Sequence, residues 1–274
     1  MNEKENTPKQ PELAPTDPTR QLRQHLDSLR AAGIYWLPAS APSSQPKEGE
    51  LKGEESEPSD ETTIQRSLFA AADAPRSQDD PEQRRRELTV LAERVAGCQR
   101  CTELVVSRSR TVFGVGPIDV ELCFVGEAPG ATEDQRGEPF VGEAGQLLDR
   151  IITACGMKRE EVYICNIVKC RPPGNRLPTA EEAGNCREYL ERQLELVQPK
   201  FICALGACAA QNLLGTTQGI GKLRGRFHDY KGIPVMCTYH PAFLLPGRSP
   251  HRKRDVWEDM KKLLERMGRH IPGR

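Results

Sequence analysis

Between residues 121 and 267 short apolar runs alternate with segments whose apolar residues recur at helical spacing. This alternation constrains the fold more than any other feature of the chain. Glu121 to Val125, Val162 to Val168, Lys200 to Leu205 and Pro234 to Tyr239 are short, mostly apolar stretches, the pattern of strands buried in a parallel sheet. Between them, Glu143 to Cys155 carries Leu147, Leu148, Ile151 and Ile152 and ends at Gly156, a helix-stop signal. Thr179 to Val197 opens with Thr179 as N-cap and Glu182 at the capping-box position. Ala207 to Leu214 and Arg252 to Met267 complete the series. The prediction is an α/β protein, a three-layer α/β/α sandwich around a four-stranded parallel sheet. Binding sites in such folds gather at the carboxyl ends of the strands.

The chain in front of this region has a different composition. Residues 1–86 hold 10 of the 22 prolines, no cysteine, and 16 Asp/Glu against 12 Lys/Arg. Such a segment cannot bury enough apolar surface to offset its ordering entropy, and it reads as a mostly disordered acidic extension. Two islands interrupt it. Leu22, Leu26 and Leu29 recur at helical spacing and lead into Ile34-Tyr35-Trp36-Leu37, predicting a short helix near 19–37. Gln65-Arg66-Ser67-Leu68-Phe69 resembles the bacterial sliding-clamp-binding pentapeptide, with Gln65 as hydrogen-bonding anchor and Leu68 and Phe69 as apolar anchors. The folded domain is expected over 87–270, with Leu88, Leu91 and Val95 on one face of its first helix and 271–274 as a tail.

The net charge of zero conceals an asymmetry, because residues 87–274 carry 27 Lys/Arg against 23 Asp/Glu. Gly247 to Arg274 alone has 9 basic and 4 acidic residues, which suits a nucleic-acid partner or a solvated helix face. No apolar run is long enough to span a membrane, and the charged start Met1-Asn2-Glu3-Lys4-Glu5 is not a signal peptide. A cytoplasmic location is the default expectation. There the ten cysteines, all between Cys98 and Cys237, should not form a disulfide framework. Cys98-x-x-Cys101, with Cys170 and Cys186 as the best candidates to complete it, can make a four-thiolate site for zinc or an iron–sulfur cluster. Cys123, Cys165, Cys203 and Cys237 fall within predicted strands and read as core.

The strand ends carry three polar candidates: Glu127 in Gly126-Glu127-Ala128-Pro129-Gly130, Asn166 in Asn166-Ile167-Val168-Lys169-Cys170-Arg171-Pro172-Pro173, and His240 in His240-Pro241-Ala242-Phe243-Leu244-Leu245. Each alone reads equally well as a structural residue. Together with Glu133-Asp134 and Gly137-Glu138-Pro139-Phe140-Val141-Gly142, and in this order, they resemble the family 4 uracil-DNA glycosylases, the iron–sulfur type. The resemblance covers about residues 87–270.

The resemblance implies a DNA-repair enzyme that flips uracil out of single- or double-stranded DNA and hydrolyses its N-glycosidic bond. It implies a structural [4Fe-4S] cluster held by Cys98, Cys101, Cys170 and Cys186, in preference to zinc. In the implied pocket Phe140 stacks on the flipped ring and Asn166 reads the O4 and N3–H edge. Glu133 excludes the methyl of thymine, and His240 donates a hydrogen bond to O2 as negative charge develops. Glu127, Ala128 and Pro129 form a wall of that pocket. In the best-known uracil glycosylase family an Asp occupies the place of Ala128, so a dissociative mechanism without that base is expected, with Glu127 stabilising the sugar cation or holding water. Leu244 or Leu245 is a candidate wedge for the base stack, and Arg248, Arg252, Lys253 and Arg254 suit phosphate contacts. The enzyme is expected to act as a monomer. The competing class is a non-catalytic, cluster-bearing DNA-binding module on the same fold, and a third is a zinc-bound nucleotide enzyme.

Overall fold

The computed structural model describes residues 80–272, all within the unit Asp73–Arg274. The suggested helix at 19–37 and the pentapeptide at 65–69 lie outside the described residues. The first helix, α1, spans Pro81–Ala96, so residues 81–86 belong to the domain rather than to the extension. Asp80 caps α1 by accepting from the Glu82 backbone N–H, and Pro81 stands in the first turn, where a missing N–H costs nothing. Buried Arg84 pins the helix by donating to Asp119 and to the Leu196 carbonyl.

After the short α2 (Thr102–Ser107) come β1 (Leu122–Gly126), α3 (Ala131–Arg136), α4 (Glu143–Ala154), β2 (Tyr163–Asn166), α5 (Ala180–Val197), β3 (Phe201–Leu205), α6 (Gly206–Leu214), α7 (Ile220–Leu223), β4 (Phe227–Tyr230), β5 (Ile233–Thr238) and α8 (Lys253–Met267). The sheet has five strands in the order β2-β1-β3-β5-β4. The four expected strands are all present and parallel, and the four-stranded prediction is corrected by the added edge strand β4, antiparallel to β5. β4 escaped notice because Phe227-His228-Asp229-Tyr230 lies at an edge, is only partly buried, and has no apolar run. Its turn, Lys231-Gly232, has positive φ at both residues, as a tight hairpin requires, but Lys is an unusual residue for that conformation.

Two apolar layers sandwich the sheet. One contains Cys123, Val125, Cys165, Leu190, Leu194 and Ile202, against α5 and α6; the other contains Phe124, Leu148, Ile152, Met236, Val256 and Met260, against α4 and α8. Side chains alternate across each strand, which is why Cys123 and Phe124 face opposite layers. The second layer is locked by Asp259, buried on α8, which accepts from Thr238 Oγ1 at 2.6 Å and from Arg224 at 2.8 and 3.0 Å.

The register places Gly126 directly beside Asn166 at the carboxyl ends of β1 and β2. The chains continue together past the strands, with Ile167 N–H donating to the Gly126 carbonyl and Val168 N–H to that of Glu127. α4 approaches this edge so closely that a Cβ on Gly145 would stand 2.8 Å from Phe140 Cα and collide with the Phe140 carbonyl. An exposed helical Gly→Ala change gains roughly 1 kcal/mol. At Gly145 the sign reverses: Gly145→Ala should destabilise the protein by about 1–3 kcal/mol through overpacking, read as a lower midpoint in thermal or urea denaturation.

Candidate functional site

The carboxyl ends of β1, β2 and β5 open into a cavity of about 540 Å³. Glu127, Ala128, Pro129, Glu133, Phe140, Asn166 and His240, the seven residues expected to share a pocket, all line it. Asn166 is 1% exposed, and its Oδ1 is buried without a protein partner. Gly126 makes room for it, because a Cβ there would strike Asn166 Oδ1 and stand 2.5 Å from Phe140 Cζ.

Phe140 has a positive φ of 54°, a strained conformation for a bulky residue. Its neighbours hold it there. Glu133 accepts from the Val141 and Gly142 backbone N–H groups at 2.9 and 2.8 Å, and Arg159 donates to the Pro139 carbonyl while pairing with Asp149. Glu133 therefore lines the cavity and also fixes the loop that carries Phe140. The Phe140 ring lies 5.5 Å from the His240 ring, centre to centre.

His240 follows β5 at the first position of a 3₁₀ turn over Pro241–Leu244. Its Nδ1 accepts from the Ala242 backbone N–H at 3.1 Å, which leaves the proton on Nε2. The ring is partly open to the cavity but ringed by protein, and burial pushes its pKa down to about 4, with Arg248 adding to the shift. A neutral imidazole with an Nε2–H donor is the working form. Glu127 is shifted the other way, burial raising its carboxyl above the usual range.

The same 3₁₀ turn overturns one expectation. Residues three apart eclipse in such a turn, so Pro241 and Leu244 share a buried face. Leu244 is 1% exposed, packed in the layer with Val256 and Met260, and cannot be the wedge. Leu245 is half-buried against the same layer. The apolar side chain at the cavity mouth is Phe243, 40% exposed, facing Leu177, 68% exposed, on the other rim. Neither stood out in the sequence, where Phe243 is one of several apolar residues in a row. Arg248 also lines the mouth, whereas Arg252 is engaged with Asp255 and Tyr239, and Lys253 and Arg254 are exposed at the start of α8.

The four candidate ligand thiols lie on the other side of β2. Among the described residues no group of three or more His, Cys, Asp or Glu stands in metal-ion geometry. The thiols are nevertheless neighbours: Cys186 and Cys98 both act on Cys170, and Cys101 and Cys98 both act on Cys186. Two have a donor suited to a thiolate: Arg108 donates to Cys170 Sγ at 2.9 Å and Asn185 to Cys101 Sγ at 3.5 Å. Burial pushes Cys170 up to about 11 and raises Cys186. Such thiols ionise only against a strong cation, so the donor set fits a thiolate-bound metal centre. The other six cysteines are free, and Cys123, Cys165, Cys203 and Cys237 are buried in strands.

Residues 113–261 match the model of the uracil DNA glycosylase superfamily. The sheet, the pocket at its carboxyl edge and this match together place the chain in that class. Within the class, a type-4 uracil-DNA glycosylase of Thermotoga maritima is 45% identical over 177 residues, 64% of this chain and 92% of the relative. Those of Archaeoglobus fulgidus and Saccharolobus solfataricus are 40% and 41% identical, over 66% and 65% of this chain and 94% and 85% of theirs. The chain belongs to the type-4 uracil-DNA glycosylase family.

The depressed pKa of His240 has a defined consequence for pH dependence. Between about 6.5, the ordinary His value, and about 4, the unfolded chain binds a proton that the folded His240 refuses. Stability should therefore be fully present above the upper value and decline as pH falls towards the lower one. The same neutrality should keep uracil release insensitive to His240 protonation near pH 6. Denaturation curves at several pH values for the parent and for His240→Gln test this, the variant losing part of the acid-side slope.

Proposed function

We propose that the uracil-DNA glycosylase activity of this family is carried here by Asn166, Phe140 and His240, without a carboxylate base at residue 128. The observation that carries the reading is that Asn166, whose buried Oδ1 has no partner among the described residues, lines one cavity with Phe140 and His240. A buried acceptor calls for a donor, and uracil N3–H is one, while Asn166 Nδ2 suits the adjacent O4. Cytosine offers an acceptor at N3 and a donor at position 4, so every pairing is reversed. Phe140 stacks on the ring and Glu133 closes the pocket beside it.

Bond cleavage leaves negative charge on the departing uracil, and the Nε2–H of His240 stabilises it at O2. Ala128 is apolar and packs against the core, so departure of the base precedes attack by water. Glu127 stands where it can stabilise the sugar cation or hold that water. No lysine lines the cavity among the described residues, which agrees with hydrolysis rather than a Schiff-base lyase step. Arg248, with Lys253 and Arg254 further along, contacts phosphate, and Phe243 takes the wedge position first expected of Leu244. Cys98, Cys101, Cys170 and Cys186 hold a [4Fe-4S] cluster, which supplies structural cross-linking between α5 and the segments at either end of the domain's first half. Gln65, Leu68 and Phe69 form a sliding-clamp-binding element, a reading that rests on the sequence alone.

Two experiments test these readings. Uracil release from single- and double-stranded DNA should fall by ~10²–10³-fold in Asn166→Ala and again in His240→Ala, as for loss of one transition-state donor. Tight DNA binding by a parent that releases no uracil would favour the non-catalytic module instead. For the extension, a Leu68→Ala/Phe69→Ala pair should lose retention on immobilised sliding clamp, and unchanged retention would remove that assignment.

A further inference from the structure

Lys169 has no exposed surface. Its Nζ donates to the Asn166 carbonyl at 2.9 Å and to Gln193 Oε1 at 2.5 Å, and stands 5.8 Å from the centre of the Phe113 ring. No carboxylate is among these partners. An ammonium buried against neutral groups alone is costly, so a fold that keeps one must hold negative charge near it. The thiols are in position to supply it. Cys170 is the next residue, and the Lys169 charge favours the Cys186 thiolate.

Gln193 and Cys186 lie two turns apart on one face of α5. The helix therefore holds the Lys169 side chain through Gln193 and carries Cys186 on the same face. Gln193 is itself fully buried and donates to the Phe113 carbonyl at 2.9 Å and to Tyr163 Oη at 2.8 Å. Gly114 leaves space for this, since a Cβ there would stand 2.8 Å from Gln193 Nε2. Lys169 thus joins the backbone of the pocket Asn to α5, the helix that carries Cys186.

We propose that Lys169 is a positioning residue: beside Arg108 on Cys170, its buried ammonium is a second counter-charge to the four-thiolate centre and at the same time holds the carbonyl of Asn166. Charge at the centre and base recognition are coupled through this one side chain. The proposal rests on the assignment of Cys98, Cys101, Cys170 and Cys186 to a cluster and of Asn166 to uracil.

The test uses the full-length holoprotein with its iron–sulfur chromophore. Lys169→Met keeps the volume and removes the charge. Lys169→Arg keeps the charge. Gln193→Glu keeps the shape and gives Lys169 a carboxylate partner that cancels its charge at the centre. The cluster's midpoint potential and the kcat and KM for uracil release are measured for each.

Removing a nearby positive charge disfavours the more negative reduced cluster. Lys169→Met and Gln193→Glu should therefore both shift the potential to more negative values, with Lys169→Arg close to the parent. Uracil release by Lys169→Met should fall ~10–100-fold in kcat/KM, the usual effect of losing a residue that orients a functional one. Should Lys169→Met fail to fold, Gln193→Glu decides the matter. A potential unmoved in the charge-cancelling variants, or a parent that holds no iron–sulfur chromophore, overturns the proposal. Asn166→Ala should lower uracil release by the ~10²–10³-fold given above and leave the potential in place. A parent with a normal cluster and no uracil release would refute the uracil reading alone, and the potential shift would still decide the role of Lys169.

Discussion

Asn166 presents a buried acceptor that no described residue satisfies. Leaving such a group unpaired costs the folded state about 1–3 kcal/mol, and much of the surrounding structure makes sense as what that arrangement requires. Gly126 must lack a side chain because it is the parallel-register neighbour of Asn166. Phe140 must adopt positive φ to bring its ring over the same edge, and Gly145 must be small to let α4 pass beneath it. Glu133 spends both of its recorded hydrogen bonds on the backbone of that loop. The loop that carries Phe140 is thus fixed by the protein's own contacts, without help from a ligand.

The two carboxylates at the cavity differ in what surrounds them. Glu133 accepts two backbone N–H groups and belongs to the scaffold of the Phe140 loop. Glu127 is raised by burial. Its ionisation is therefore disfavoured in the free protein and becomes favourable when positive charge develops close by. His240 is shifted in the complementary sense, burial keeping its imidazole neutral.

Much of this was legible in the sequence, and the exceptions have physical causes. Four strands and the main helices follow from apolar periodicity and from caps such as Thr179 with Glu182, both of which form. The pocket residues were legible as motifs at strand ends, because parallel topology brings those ends together wherever the intervening helices cross. The edge strand β4 was not, since an edge needs no continuous apolar run. Leu244 and Phe243 were exchanged because His240-Pro241-Ala242-Phe243-Leu244-Leu245 gives no hint that a 3₁₀ turn, with its three-residue repeat, decides which side chain goes inward. Lys169 was invisible as a buried cation, because lysine is almost always exposed and only tertiary packing of α5 covers it.

Ala128 follows from the same logic. It lines the cavity and also packs against the apolar layer beneath. A carboxylate there would have to leave water for a site supported by core side chains, next to Glu127, already raised by burial. The pocket instead combines one neutral donor, one unpaired acceptor and one poised carboxylate around an otherwise apolar wall. That set can stabilise separating charges and cannot by itself deprotonate water strongly. The chemistry such a wall favours is departure of the base first, with water adding afterwards to an already cationic sugar, which needs no strong base to capture it.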